Sequence, residues 1–210
     1  CAEIVKSSDV RIEPPCKYHR QCGGCQVMAM SYPAQLEYKA NKVKNDLVRI
    51  GGFDKDYIDS VCEPIIGMDN PYRYRNKAQY PIGLNKDGEI IAGFYAGRTH
   101  SIIPNTNCYL GVVENEDILK AVISYMKEVG VAPYDETACK GVVRHVLIRK
   151  GFKTGEIMVC VVINADELKE SDRLVNALKC IPGMKSICIN INKKATNVIL
   201  GDTCKTLWGE

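Results

Sequence analysis

The sequence predicts an α+β fold, a largely antiparallel sheet with packed helices and a cysteine-rich, cluster-binding loop. Three observations predict it. Two stretches carry hairpin turn chemistry, Asn85-Lys86-Asp87-Gly88 and Lys153-Thr154-Gly155, each between strand-like runs. Residues 115–129 repeat apolar side chains at helical spacing and end on Gly130. Ile157–Ile163 is almost wholly apolar, as befits a strand at the centre of a sheet.

Taken in order, residues 2–5 and 10–12 read as short strands around a polar turn, and Glu13-Pro14-Pro15 reads as a stiff connector. Ser31 suits an N-cap and Pro33 the first turn of a helix that runs to Ile50 and stops at Gly51-Gly52. Its stripe of Leu36, Ala40, Val43, Leu47 and Ile50 predicts core packing. A short strand is expected over 61–66 and a longer one over 72–82, paired with 89–95. Asn115 is the expected cap of the 115–129 helix. Strands over 141–150 and 156–164, a helix over 166–180, and strands over 186–192 and 197–200 complete the chain. Hairpin followed by helix thus occurs twice, without a sequence repeat.

Composition is that of an ordinary globular chain, with 210 residues, 46% hydrophobic, 25% charged and a net charge of +3. That charge is too small to point to nucleic acid unless it is clustered. No run is long and apolar enough to predict a membrane span, and the sequence predicts no signal peptide. Eleven cysteines without secretory spacing predict a reducing cytoplasm. Cys62, Cys139, Cys160, Cys180, Cys188 and Cys204 sit singly in apolar surroundings and read as small core hydrophobes.

Cys16, Cys22 and Cys25 are different, with three thiols in ten residues and Gly23-Gly24 between the last two. Three soft ligands leave a metal centre one short. One local triple plus one distant partner fits an iron–sulfur cluster better than zinc, which favours two local pairs. The expected fourth ligand is Cys108, in a polar loop after Pro104, with Cys62 and Cys139 as alternatives. A module stapled by zinc on four cysteines, binding protein rather than RNA, is the competing assignment, and an electron carrier a weaker one.

If residues 72–82 form one strand, Arg73, Arg75 and Lys77 share a face and Tyr72, Tyr74 and Asn76 the other. Cations interleaved with aromatics suit a polyanion, and equally suit a solvated face. Arg144, His145, Arg149 and Lys150 lie on a second strand. No phosphate loop, HExxH or GxSxG motif is present, and the sequence predicts no catalytic residue within the chain.

These residues carry a resemblance. Cys16-x5-Cys22-Gly-Gly-Cys25-Gln, Ser31-Tyr32-x-x-Gln35-Leu36-x-x-Lys39, Tyr74-Arg75-Asn76-Lys77-Ala78, the lone Cys108 and Gly141-Val-Val-Arg144-His145-Val-Leu-Ile-Arg149 together resemble the iron–sulfur branch of the RNA (uracil-5-)-methyltransferases. The resemblance implies that residues 1–13 end a TRAM domain and that 14–210 are a central domain holding a 4Fe–4S cluster on Cys16, Cys22, Cys25 and Cys108. It implies an S-adenosylmethionine domain after residue 210, which holds the catalytic cysteine and base, so that this stretch alone is inactive. It further implies an RNA partner, 23S ribosomal RNA rather than transfer RNA; a cytoplasmic monomer is expected. Arg75, Asn76, Lys77, Arg144 and His145 match the motif positions expected at the RNA surface, with Arg73 beside them. One departure is Val27-Met28-Ala29 where the family commonly has Leu-Gln-His.

Overall fold

The computed structural model of the chain describes residues 3–209, so Cys1, Ala2 (the start of the first expected strand) and Glu210 lie outside the described residues. The chain divides into two compact units. One comprises the residues up to His19 with Cys25–Pro71, the other Arg20–Gly24 with Tyr72 onward.

The first unit is built on helix α1 (Tyr32–Arg49), with Pro33 in its first turn. Ser31 makes no side-chain cap. Its backbone N–H instead donates to the Val10 carbonyl at 2.8 Å, beside a single antiparallel bridge between Arg11 and Met30. The two strands expected at the start shrink to this bridge, and Glu3–Val5 form none. The strand expected over 61–66 is also absent. Helix α2 (Lys55–Val61) takes its first residue, because the Asp54 carboxylate caps Tyr57 N–H at 2.9 Å and Lys55 pairs with Asp59 one turn on. Lys44 of α1 reaches the same Asp59 at 3.0 Å. The predicted core stripe of α1 is not buried. None of its residues is, and Val43 is 58% and Ile50 82% exposed. Met28 and Ile58 are the buried apolar side chains among this unit's described residues, too few for a closed core.

The second unit is a seven-stranded sheet of β1 (Lys77–Leu84), β2 (Ile90–Tyr95), β3 (Ile102–Pro104), β4 (Val143–Lys150), β5 (Ile157–Ile163), β6 (Met184–Ile191) and β7 (Thr203–Gly209). Their spatial order is β3-β2-β1-β4-β5-β6-β7. All neighbours are antiparallel except β5 and β6, whose crossover is helix α4 (Ser171–Leu178). Helix α3 (Asn115–Val129) lies between β3 and β4 in the chain and stops where Gly130 turns to φ 70°. The fold is α+β, as the turn chemistry and periodicities predict.

Ile118, Val122 and Met126 of α3 and Leu174 and Leu178 of α4 share one core with Tyr80, Val146, Ile148, Val159, Val161 and Ile187. Asn115 does not cap α3. It is the first helical residue, and its amide donates to the buried Tyr80 hydroxyl at 3.1 Å. α4 is shorter than expected, since Glu170 sits at φ 49° and starts the helix late. The strand expected over 197–200 is a loop whose Val198 and Ile199 carbonyls accept from the Asn192 amide, and β7 follows it.

Only Cys160 of the six presumed core thiols is buried, while Cys139, Cys180 and Cys204 are exposed. Cys160 and Cys188 are adjacent across β5 and β6, and hydrogen bonding to Cys188 together with burial pushes the Cys160 thiol far up.

Candidate functional site

The segment 72–76 is not the first half of a strand. Arg73 adopts φ 59°, which breaks the alternation that would set Arg73, Arg75 and Lys77 on one face. Arg73 and Arg75 instead donate their N–H groups to the Tyr109 and Leu110 carbonyls, each at 2.9 Å. The Arg73 guanidinium turns back on the same loop, donating to the Cys108 and Gly111 carbonyls at 2.8 and 3.2 Å, and lies 5.5 Å from the centre of the Tyr109 ring. It is therefore a clamp on the Cys108 loop. Arg75, Asn76 and Lys77 are exposed.

The sheet adds a further cation to Arg75 and Lys77. Register places Lys77 opposite Arg149, Gln79 opposite Leu147 and Pro81 opposite His145. Ala78, Tyr80, Val146 and Ile148 face the helices and the core, so these alternate pairs occupy the other face. Like charges directly opposite on a sheet repel. Lys77 and Arg149 are both exposed, a placement that fits an anionic partner. The sequence marks Arg149 only as a cation on this strand, and its even spacing from His145 is the signal that sets it on the face of Lys77.

Arg144 and His145 are adjacent in sequence, and an even strand would point them to opposite faces. The register shifts between Val143 and His145, leaving Arg144 as an extra residue in β4. The bulge lets both residues line one cleft. Arg144 is 5% exposed and is held by main-chain carbonyls, of Asn192 at 2.9 Å and Lys194 at 2.8 Å, with its guanidinium 4.6 Å from the centre of the Tyr134 ring. His145 is 7% exposed, and burial first, then Arg144, lowers its pKa to about 4. It is a neutral imidazole near pH 7. Neither Arg144 Nε nor His145 Nδ1 has a hydrogen-bond partner among the described residues. These two residues are therefore buried in the cleft rather than spread on a basic surface.

Gly141 makes this cleft possible. It sits at φ 101°, and a Cβ there would lie 2.0 Å from the Pro133 carbonyl oxygen. The close approach lets Tyr134 N–H donate to the Val143 carbonyl at 2.8 Å, which holds the ring against Arg144. Across the lining, His100 Nδ1 meets Glu136 at 2.7 Å, and the Tyr95 hydroxyl donates to the same carboxylate at 3.3 Å. Burial, with Glu136 beside it, pushes the Tyr95 hydroxyl up to about 12.

Of the four expected cluster ligands, Cys16 and Cys25 belong to the first unit and Cys22 and Cys108 to the second. None is in a disulfide, and all four are half-buried. Cys22 bridges Ala96, Gly23 N–H donates to the Tyr95 carbonyl at 3.2 Å, and Gly97 N–H donates to the Gln21 carbonyl at 3.2 Å. Among the described residues, no three His, Cys, Asp or Glu side chains are gathered closely enough to hold a metal ion. The donor set itself, four thiols outside disulfides and partly open to solvent, is chemically suited to a soft metal or an iron–sulfur cluster.

No protein-family model matches the chain. An uncharacterised RNA methyltransferase of Halalkalibacterium halodurans is 44% identical over 208 residues, which is 99% of this chain and 44% of that protein. One from Clostridium tetani is 41% identical over the same length, again 99% of this chain and 44% of its own. The chain is similar to one segment of these RNA methyltransferases. It spans less than half the length of the RNA methyltransferases it matches. The fold is shared with the Pyrococcus abyssi tRNA (uracil-54, C5)-methyltransferase solved with S-adenosyl-L-homocysteine, at a TM-score of 0.70 over 99% of this chain and 44% of that one, with 23% identity. No described helix is long and apolar enough to cross a membrane.

Proposed function

We propose that this chain is the central, RNA-contacting part of an S-adenosylmethionine-dependent RNA 5-methyluridine methyltransferase acting on 23S ribosomal RNA. The observation that carries the reading is the similarity to RNA methyltransferases along 99% of the chain. The cysteine spacing and the Tyr74–Ala78 and Gly141–Arg149 motifs narrow it to the uracil-5 enzymes and their iron–sulfur branch. In this reading residues 1–13 end a TRAM domain, and a methyltransferase domain follows residue 210. That domain supplies the thiolate that adds to the uracil ring and the base that removes its proton, so residues 1–210 alone transfer no methyl group. The protein works as a cytoplasmic monomer.

Cys16, Cys22, Cys25 and Cys108 would hold the 4Fe–4S cluster. Methyl transfer is redox-neutral, and the cluster would serve as a structural clamp. Arg73 fixes the Cys108 loop through two carbonyls. Lys77, Arg149 and Arg75 present the charge that neutralises RNA phosphates.

The test is salt-dependent binding of a 23S ribosomal RNA fragment. Each lost phosphate contact reduces the slope of log affinity against log salt by about 1. The double variant Lys77→Glu with Arg149→Glu is therefore expected to bind more weakly and to lose about 2 from that slope. An unchanged slope would remove this face from the RNA interface.

A further inference from the structure

Arg144 and His145 line one cleft of the second unit. It is a half-open groove of about 500 Å³, inside the roughly 300–1,000 Å³ of small-ligand sites. Its lining combines apolar walls from Ile91, Ile102 and Pro104 with a polar floor from Arg144 and His145. Within those two residues, Arg144 Nε and His145 Nδ1 are closed to solvent and have no partner among the described residues. An unsatisfied buried polar atom is costly, and such atoms are uncommon in native proteins.

We infer that this cleft receives one unstacked nucleotide of the bound RNA, its base lying between the apolar walls with its polar edge against Arg144 and His145. The inference rests on the RNA-binding reading and adds where a single base is held. Three features favour a base over an apolar peptide side chain. Arg144 brings a positive charge whose hydrogen bonds go to carbonyls rather than to a carboxylate, so an electron-rich ring with acceptor atoms is attracted to it. A neutral imidazole can offer either a donor or an acceptor, which suits a base edge. Lys86 on the same lining carries the charge to meet a phosphate. Asp135 and Glu136 are the negative groups on the lining that such a phosphate must avoid; the Asp135 carboxylate accepts from the Thr137 and Ala138 N–H groups, and Glu136 is committed to His100 and Tyr95.

The bulge explains why the site is built here. Without the extra residue in β4, Arg144 would point into the core and His145 alone would face the cleft. The left-handed Gly141 brings the centre of the Tyr134 ring to within 4.6 Å of the guanidinium.

The test uses the whole chain and a single-stranded RNA octamer with one central 2-aminopurine, whose fluorescence rises when the base is unstacked. Wild type is expected to bind with a fluorescence rise. Ser101→Trp and Thr137→Trp, exposed positions on the lining, are expected to plug the cleft, abolish the rise and weaken binding about tenfold, the scale of one held base. His145→Phe, which keeps the ring and loses the nitrogens, is expected to weaken binding in the same direction. Lys77→Glu with Arg149→Glu is expected to weaken binding while the residual complex still shows the rise. If both tryptophan variants bind with wild-type affinity and an unchanged rise, the cleft does not hold a base, and the RNA-binding reading stands without it. If wild type fails to bind the octamer even at low salt, the RNA-binding reading falls and the cleft assignment falls with it.

Discussion

His145 is a neutral, buried imidazole beside a buried cation, and this has a consequence for stability. Its pKa is lowered to about 4 from an ordinary 6.5 by burial and by Arg144, against a smaller opposing effect of Glu136. The unfolded chain therefore takes up a proton between pH 6.5 and 4 that the folded chain refuses, and stability falls as pH drops through that window. The full effect is about 3 kcal/mol, from the width of the window at about 1.36 kcal/mol per unit. His145→Phe should flatten this part of the stability–pH curve in urea unfolding; parallel curves would show that the imidazole takes up its proton as readily in the folded chain as in the unfolded one. That Arg144 and His145 belong to one motif was legible in the sequence. That they share a cleft was not, because simple alternation sets neighbours on opposite faces and only the register shift overrides it.

At the scale of elements, local chemistry decided what periodicity left open. Residues 55–61 fold as α2 because Asp54 caps the helix and the Lys55–Asp59 pair spans one turn. Asp54→Ala should cost α2 about 1 kcal/mol, seen as faster amide exchange confined to residues 57–61; unchanged exchange would mean that packing of Ile58 alone holds the helix. Gly141 is a second such element-level control. Gly141→Ala forces a Cβ into the Pro133 carbonyl at a left-handed φ, and a destabilisation of more than about 1 kcal/mol in thermal or denaturant unfolding is expected. A neutral result would show that the 132–134 segment can move off β4 freely. The hairpin of β1 and β2 was readable because Asn85 accepts from the N–H groups of Asp87 and Glu89 in the turn that its sequence announces. The first half of the expected 72–82 strand failed because Arg73 takes a left-handed conformation that no propensity marks.

For the whole molecule, the decisive chemistry to test is at the four cysteines. Anaerobic purification of the chain should give about four irons and four acid-labile sulfides per chain for a single 4Fe–4S cluster, and Cys108→Ser should lose most of both. One zinc per chain without sulfide would favour the zinc-stapled module instead. The sequence by itself determined the α+β class, the helix stop at Gly130, the central strand Ile157–Ile163 and the residues that carry the family resemblance, because each depends on neighbours a few positions away. Tertiary structure alone decided that Lys77 faces Arg149, that Arg73 clamps the Cys108 loop and that Arg144 and His145 meet over one cleft. Those relations depend on strand register, a bulge and two left-handed residues, which pair side chains far apart in the chain and leave no periodic trace in it.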